Sequence, residues 1–273
     1  MTETLVILLQ LSVGVLIACV GAGASFSEIK YIWQRPSLLV RSLTAMYLLV
    51  PLAAFGVVLM LPIERGVKAA MLALAVSAGA PLLPKRLKKL QTEAYLYSLL
   101  ITSSVVAIIA VPVWTAVLSS YFHVEVNLSL RTIVTDIAAT ILLPVLAGMG
   151  FRFVSPIVSE RVSNRVMPIA WLVLAASGIV LLLHHREHLL GLSWQDVLAL
   201  STLIVVALFI GQCLGGPDAD DRTALAIASA TRHVGIALVV AAEFVGAGTL
   251  VIVVAYFVTA FVVSSIYLMC RRR

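Results

Sequence analysis

Arg232 and His233 stand side by side inside an apolar run, AIASATRHVGIALVVAAE, from Ala226 to Glu243. An arginine at the centre of a membrane helix costs about 2.5–3.5 kcal/mol on insertion scales. Such a residue faces a protein interior or a watery cavity. Its planar guanidinium suits a carboxylate through two parallel hydrogen bonds, and the neighbouring imidazole has an ordinary pKa near neutrality. The pair therefore has the chemistry to bind an anion at Arg232 and to carry a proton at His233. Small residues surround it: Ala228, Ser229, Ala230 and Thr231 before, Gly235 and Ala237 after. Small side chains let backbones approach closely, and Gly235 is a place for a helix to break. A broken helix frees N–H and C=O groups at membrane depth, which is tolerated only where they line a site.

A second stretch has the same character. Ser77, Gly79, Pro81 and Pro84 fall within eight residues, and LALAVSAGAP is locally like ALAIASATRHVG. Paired interrupted spans in corresponding positions of two halves point to a transporter site. Thr231, Arg232, His233 and Gly235 on one side, with Ser77, Gly79 and Pro81 on the other, are thus the candidate substrate-binding residues.

The elements that must position them come from hydropathy. The 273 residues are 62% hydrophobic and 12% charged, with a mean hydropathy of +1.10, a composition that soluble domains do not have. About 20 apolar residues cross the hydrocarbon core of a bilayer. The pattern predicts an all-α membrane protein in one polytopic domain, residues 1–273. Nine transmembrane spans are expected, near 5–24, 37–61, 67–83, 94–118, 133–154, 166–183, 196–214, 222–245 and 249–269. The two interrupted spans lie five apart, so they run in opposite directions. This is the sign of an inverted repeat, residues 1–120 forming the first, shortened half and 121–273 the second.

Nine spans put the termini on opposite sides, and the Lys and Arg residues orient them. With the C-terminus inside, fourteen basic residues fall inside, among them Lys30, Arg35, Lys85 to Lys89, Arg152, Arg222 and Arg271 to Arg273. Four fall outside (Arg65, Lys68, Arg131 and Arg186), and Arg232 is left in the membrane. The expectation is an integral plasma (inner) membrane protein, N-terminus outside and C-terminus cytoplasmic. No basic residue precedes the first span, so it reads as retained rather than as a signal peptide. The formal charge of +6 reflects these loops and their contact with membrane lipid, with no nucleic acid partner. Cys19, Cys213 and Cys270 are scattered without metal or disulfide spacing. No P-loop, nucleophile–base pair or metal signature marks an enzyme, and no cofactor is expected.

The residues also resemble the bile acid:sodium symporter family along nearly the whole chain. RPSLLVRSLTAMYLLVPLAAF and ILLPVLAGMGFR are similar to two of its conserved segments, and SAGAPLLP and ASATRHVGIAL fall on its two crossover helices. The resemblance implies a panel domain, a core domain with two crossing, broken helices, and alternating access around the crossing. It places Thr102, Ser103 and Ser104 near that crossing, Thr102 as a further binding residue. Family members often have ten spans; four plus five are expected here. The family's sodium ligands are replaced: its crossover Glu, Gln and Asn fall on Ala228, Arg232 and His233, its Ser-Asn pair on Leu83 and Pro84, and its other Gln on Met46. A guanidinium about 4 Å from a cation is repelled by about 4 kcal/mol at an effective dielectric of 20, so sodium binding in the family manner is not expected.

Three readings of Arg232 follow. It replaces the sodium charge, it binds an anionic substrate, or it pairs internally with Asp136, Glu243 or Glu93. The function expected is a secondary transporter of a small organic anion, sodium-independent; His233 is read either as a proton acceptor for proton coupling or as a hydrogen-bonded packing residue. The alternative is a non-transporting membrane receptor or scaffold with the same fold. His184, His185 and His188 lie in an outer loop and are read as solvated, and Trp33, Trp114, Trp171 and Trp194 as interfacial residues near span ends.

Overall fold

The computed structural model describes residues 2–77, 93–122, 131, 134–135, 138–233, 236–237, 240–241 and 247–271. The elements they form are helices joined by short turns, and among the described residues there is no strand. The elements that position the site are α1 (Thr2–Gly23), α2 (Pro36–Met60), α3 (Arg65–Val76), α4 (Glu93–Phe122), α5 (Ala138–Val154), α6 (Pro156–His184), α7 (Trp194–Leu214), α8 (Ala219–Thr231) and α9 (Ala247–Arg271). Among the described residues, α1, α2, α4, α6, α7 and α9 each hold a stretch long and apolar enough to cross a membrane, and α5 is a shorter apolar helix.

Most boundaries fall where composition put them, with local causes at the ends. Pro36 and Pro156 stand in the first turns of α2 and α6, where a missing N–H costs nothing. Ser193 and Asp196 cap α7 reciprocally, and Asp218 caps α8 through the Asp220 N–H at 3.1 Å. The sixth span starts ten residues earlier than hydropathy places it. Ser159 and Ser163 donate 2.8 Å hydrogen bonds to the carbonyls of Ala22 and Cys19 and hold that extra length on α1. Hydropathy does not register a polar turn buried against a neighbour.

Two helices contain a π-helical turn, Ala45–Leu49 in α2 and Ala138–Leu142 in α5. Each has a proline two residues beyond, Pro51 and Pro144. A proline cannot donate to the preceding turn, and the helix widens there.

Helix α1 packs on α5 and α6, while α7 packs on α8 and α2, and α9 on α3 and α8. Gly21 and Gly148 bring α1 and α5 into main-chain contact: a Cβ on Gly148 would strike the Ala18 carbonyl, and one on Gly21 the Val145 carbonyl. Gly211 does the same between α7 and α8 at Ala226. Small residues allow such approach between apolar helices.

Candidate functional site

Helices α3 and α8 stop short. Twelve and thirteen residues rise about 18 and about 20 Å, less than the roughly 30 Å of hydrocarbon. Helix α3 ends at Val76, where Ser77 leaves the helix with its hydroxyl turned back to the Leu74 carbonyl at 2.8 Å. Helix α8 ends at Thr231, whose hydroxyl likewise bonds the Ile227 carbonyl at 2.7 Å. The two ends meet: the His233 N–H donates to the Ser77 carbonyl at 2.8 Å.

Arg232 lies at that junction with 1% of its surface exposed. Its backbone has φ 51° and ψ 177°, a region that residues with a Cβ rarely adopt and that costs about 1–3 kcal/mol. The twist turns the side chain back onto α3. Nε donates to the Leu74 carbonyl at 2.8 Å, Nη2 to the Ala75 carbonyl, and Nη1 to the Met46 carbonyl in the π-helical turn of α2 at 3.3 Å. The last carbonyls of a helix have no partner within it. Charge-assisted bonds to them contribute about 1.5–3 kcal/mol each, enough for three to hold the strained residue in place.

Pro51 explains why α2 has a carbonyl to offer. In this π-helical turn the Val50 N–H reaches back five residues, to Ala45. Residue 51, as proline, supplies no N–H to Met46 or Tyr47. Arg232 takes the first carbonyl and the Trp114 indole N–H takes the second at 2.8 Å. The indole N–H of Trp114, a half-buried residue, is thus used on a main-chain carbonyl of α2. Tyr256, buried on α9, donates to the Ala230 carbonyl in the last turn of α8 at 2.8 Å.

His233 is as buried as Arg232 and opens the segment beyond the break. Its carbonyl accepts the Ala237 N–H at 3.0 Å and its Nδ1 accepts the Ile236 N–H at 3.4 Å. With Nδ1 an acceptor, a neutral ring carries its hydrogen on Nε2. That atom is buried without a partner among the described residues, as is the Ser229 hydroxyl one turn earlier.

Of the residues the sequence singled out, Ser77, Thr231, Arg232 and His233 come together. Thr102 lies on α4 and accepts the Trp33 indole N–H at 3.1 Å. Ser103 and Ser104 bond the Leu100 carbonyl of their own helix. Gly79, Pro81 and Gly235 lie outside the described residues, as do Leu83, Pro84, Asp136 and Glu243, and the side chain of Glu93. Among the described residues Arg232 meets no carboxylate. Sequence reasoning missed the carbonyl of Met46 and the holders Trp114 and Tyr256. It noted the side-chain ligand lost at Met46; the main chain there is what the site uses. The one available signal was Pro51 inside a span.

No curated protein matches the chain. The model of the sodium bile acid symporter family matches residues 10–192, from α1 to the turn before α7 and short of α8. Over that length, with six apolar membrane-length helices around it, the chain belongs to the sodium bile acid symporter family, whose members are membrane transporters and not enzymes.

Proposed function

We propose that this protein is a secondary carrier of a small organic anion that works without a sodium ion at the crossover, the guanidinium of Arg232 standing in for the ion. The observation that carries this reading is the set of three main-chain carbonyls around one fully buried cation. A helix C-terminus carries about half a negative charge. Two such ends, those of α3 and α8, converge here, and one guanidinium offsets about one unit of charge. A sodium ion would have to displace it or sit beside it. The replacement of the family's oxygen ligands by Ala228, Arg232 and His233 supports the same conclusion.

The anion reading draws on the opposite polarity next door. The segment opened by His233 presents its N-terminal end, where negative charge is favoured. His233 Nε2–H and the Ser229 hydroxyl are donors awaiting an acceptor. A substrate carboxylate provides one. His233 also remains the candidate for proton coupling, which would require it to give up the Nδ1 contact to Ile236 on protonation.

The nine-span count, the inverted repeat and the panel and core domains belong to this proposal. They are supported by two half-length helices five spans apart whose ends touch, and by the packing of α1 mainly with α5 and α6 while α7 packs mainly on α8 and α2. The orientation, N-terminus outside and C-terminus cytoplasmic in the plasma membrane, rests on the distribution of basic residues.

The test is uptake of labelled organic anions into proteoliposomes, with and without a sodium gradient, for wild type and Arg232→Gln. Sodium-independent uptake that collapses in the variant is expected. Wild-type uptake that requires sodium would overturn the reading.

A further inference from the structure

Away from the crossover, two buried donors stand without acceptors near the start of α8. Arg222 is half-buried, and its Nε is enclosed with no hydrogen-bond partner among the described residues. The acids beside it are engaged elsewhere: Asp218 accepts the Asp220 N–H at 3.1 Å, and Asp221 lies 3.5 Å from Arg35. Helix α7 offers it no side chain, because Gly215 is the residue set against the Arg222 main chain. The second donor is Ser264 on α9, with 2% of its surface exposed. Serine and threonine in apolar helices commonly bond the carbonyl four residues back. On α9 Thr259 and Ser265 do so, to Ala255 and Phe261 at 2.9 and 2.7 Å. The Ser264 hydroxyl forgoes that bond and has no other among the described residues. Two contacts fix the height of α9 against the α7–α8 hairpin, Tyr256 to the Ala230 carbonyl and the Tyr267 hydroxyl to Gln212. Ser264 lies eight residues beyond Tyr256, and Arg222 lies eight before Ala230, a rise of about 12 Å along each helix. The two donors thus fall at the same level on neighbouring helices.

We propose that Arg222 and Ser264 form a binding site for the phosphate group of an anionic phospholipid, seated where α8 begins. Both side chains donate, and a phosphate has only acceptor oxygens at neutral pH. A guanidinium holds such oxygens through charge-assisted bonds, and a hydroxyl adds one neutral bond. A buried donor left unsatisfied is costly, so an acceptor is what this place lacks. The depth suits a lipid. Arg222 is three residues into α8, about 4.5 Å from its start, near the level where headgroups meet the hydrocarbon. The next turn of α9 turns apolar side chains outward, with Ile266 and Met269 exposed, and acyl chains would lie along them. Arg271 to Arg273 follow at the same end of α9 and favour a headgroup of net negative charge. Basic pockets between membrane helices bind anionic headgroups in this way. The crossover has no part in this site, so the proposal does not depend on what the protein carries.

The test is native mass spectrometry of the full chain in detergent, titrated with dioleoylphosphatidylglycerol, with dioleoylphosphatidylcholine, and with the first lipid in the presence of inorganic phosphate. Wild type should retain phosphatidylglycerol at a lower concentration than phosphatidylcholine. Arg222→Gln should raise the half-saturating concentration of phosphatidylglycerol about tenfold or more, and Ser264→Ala by a smaller factor, since it removes a neutral donor. Arg222→Lys, which keeps the charge and loses Nε, should fall between wild type and Arg222→Gln, and it decides the matter together with Ser264→Ala if Arg222→Gln does not fold. Arg161→Gln, an exposed arginine of α6, should leave retention unchanged. Equal retention of the two lipids, retention unaltered by the Arg222 and Ser264 variants, or an equal loss in Arg161→Gln would each overturn the site. Displacement of the lipid by millimolar inorganic phosphate would overturn the lipid as its occupant and leave a free anion in its place.

Discussion

Two arginines in this protein close the C-terminal ends of helices, and they do so in different surroundings. Arg152 of α5 donates from Nη1 to the carbonyls of Ala22 and Gly23 at the end of α1, at 3.2 and 2.9 Å. Arg232 donates to Leu74 and Ala75 at the end of α3. The bonds are chemically alike. Arg152 is half-buried, and Ser159 also donates to the Ala22 carbonyl. Arg232 is fully enclosed, its carbonyls come from two separate helices, and it stands at a break where water has no access. An exposed cap is replaceable by solvent; an enclosed one is not. The difference in worth lies in what remains once the cation is removed.

The largest effect should follow Arg232→Met, which leaves carbonyls of α2 and α3 without their cation. Removing one partner of a buried charged arrangement costs about 3–5 kcal/mol. Thermal unfolding in detergent should show a large loss of Tm, with Arg232→Lys falling between the variant and wild type because it keeps the charge and loses the fork. A Tm for Arg232→Met equal to that of wild type would erase the contrast between the two arginines.

Trp114→Phe should be milder. It removes a neutral donor to the Tyr47 carbonyl beside Pro51 and leaves the ring volume largely filled, a loss of about 1–2 kcal/mol. It sharpens the comparison by measuring a buried carbonyl whose lost donor is uncharged. Arg152→Gln should be smallest, within about 1 kcal/mol, since Ser159 and water remain. If the Tm of Arg152→Gln fell as far as that of Arg232→Met, burial would not be the deciding variable.

The long helices were legible in the sequence because transfer free energy is a property of local composition. The early start of α6 was not, since Ser159 and Ser163 are polar and are buried only because α1 offers them carbonyls. The two interruptions were legible at Ser77 and at Arg232 through their small and charged residues. Trp114 was legible as a residue near a span end, but its hydrogen bond to the freed carbonyl at Tyr47 was not.

From the sequence alone it followed that this chain is a helical membrane protein and that Arg232 must sit inside it; the resemblance to the family added the expectation that the side-chain oxygens of its ion site are replaced. Each is a statement about residue types. What holds Arg232 was decided by tertiary structure. Its partners are main-chain carbonyls 157, 158 and 186 residues away. Every residue carries the same carbonyl, so no letter of the sequence marks which ones a helix end or a proline will leave unpaired at the place where the chain returns.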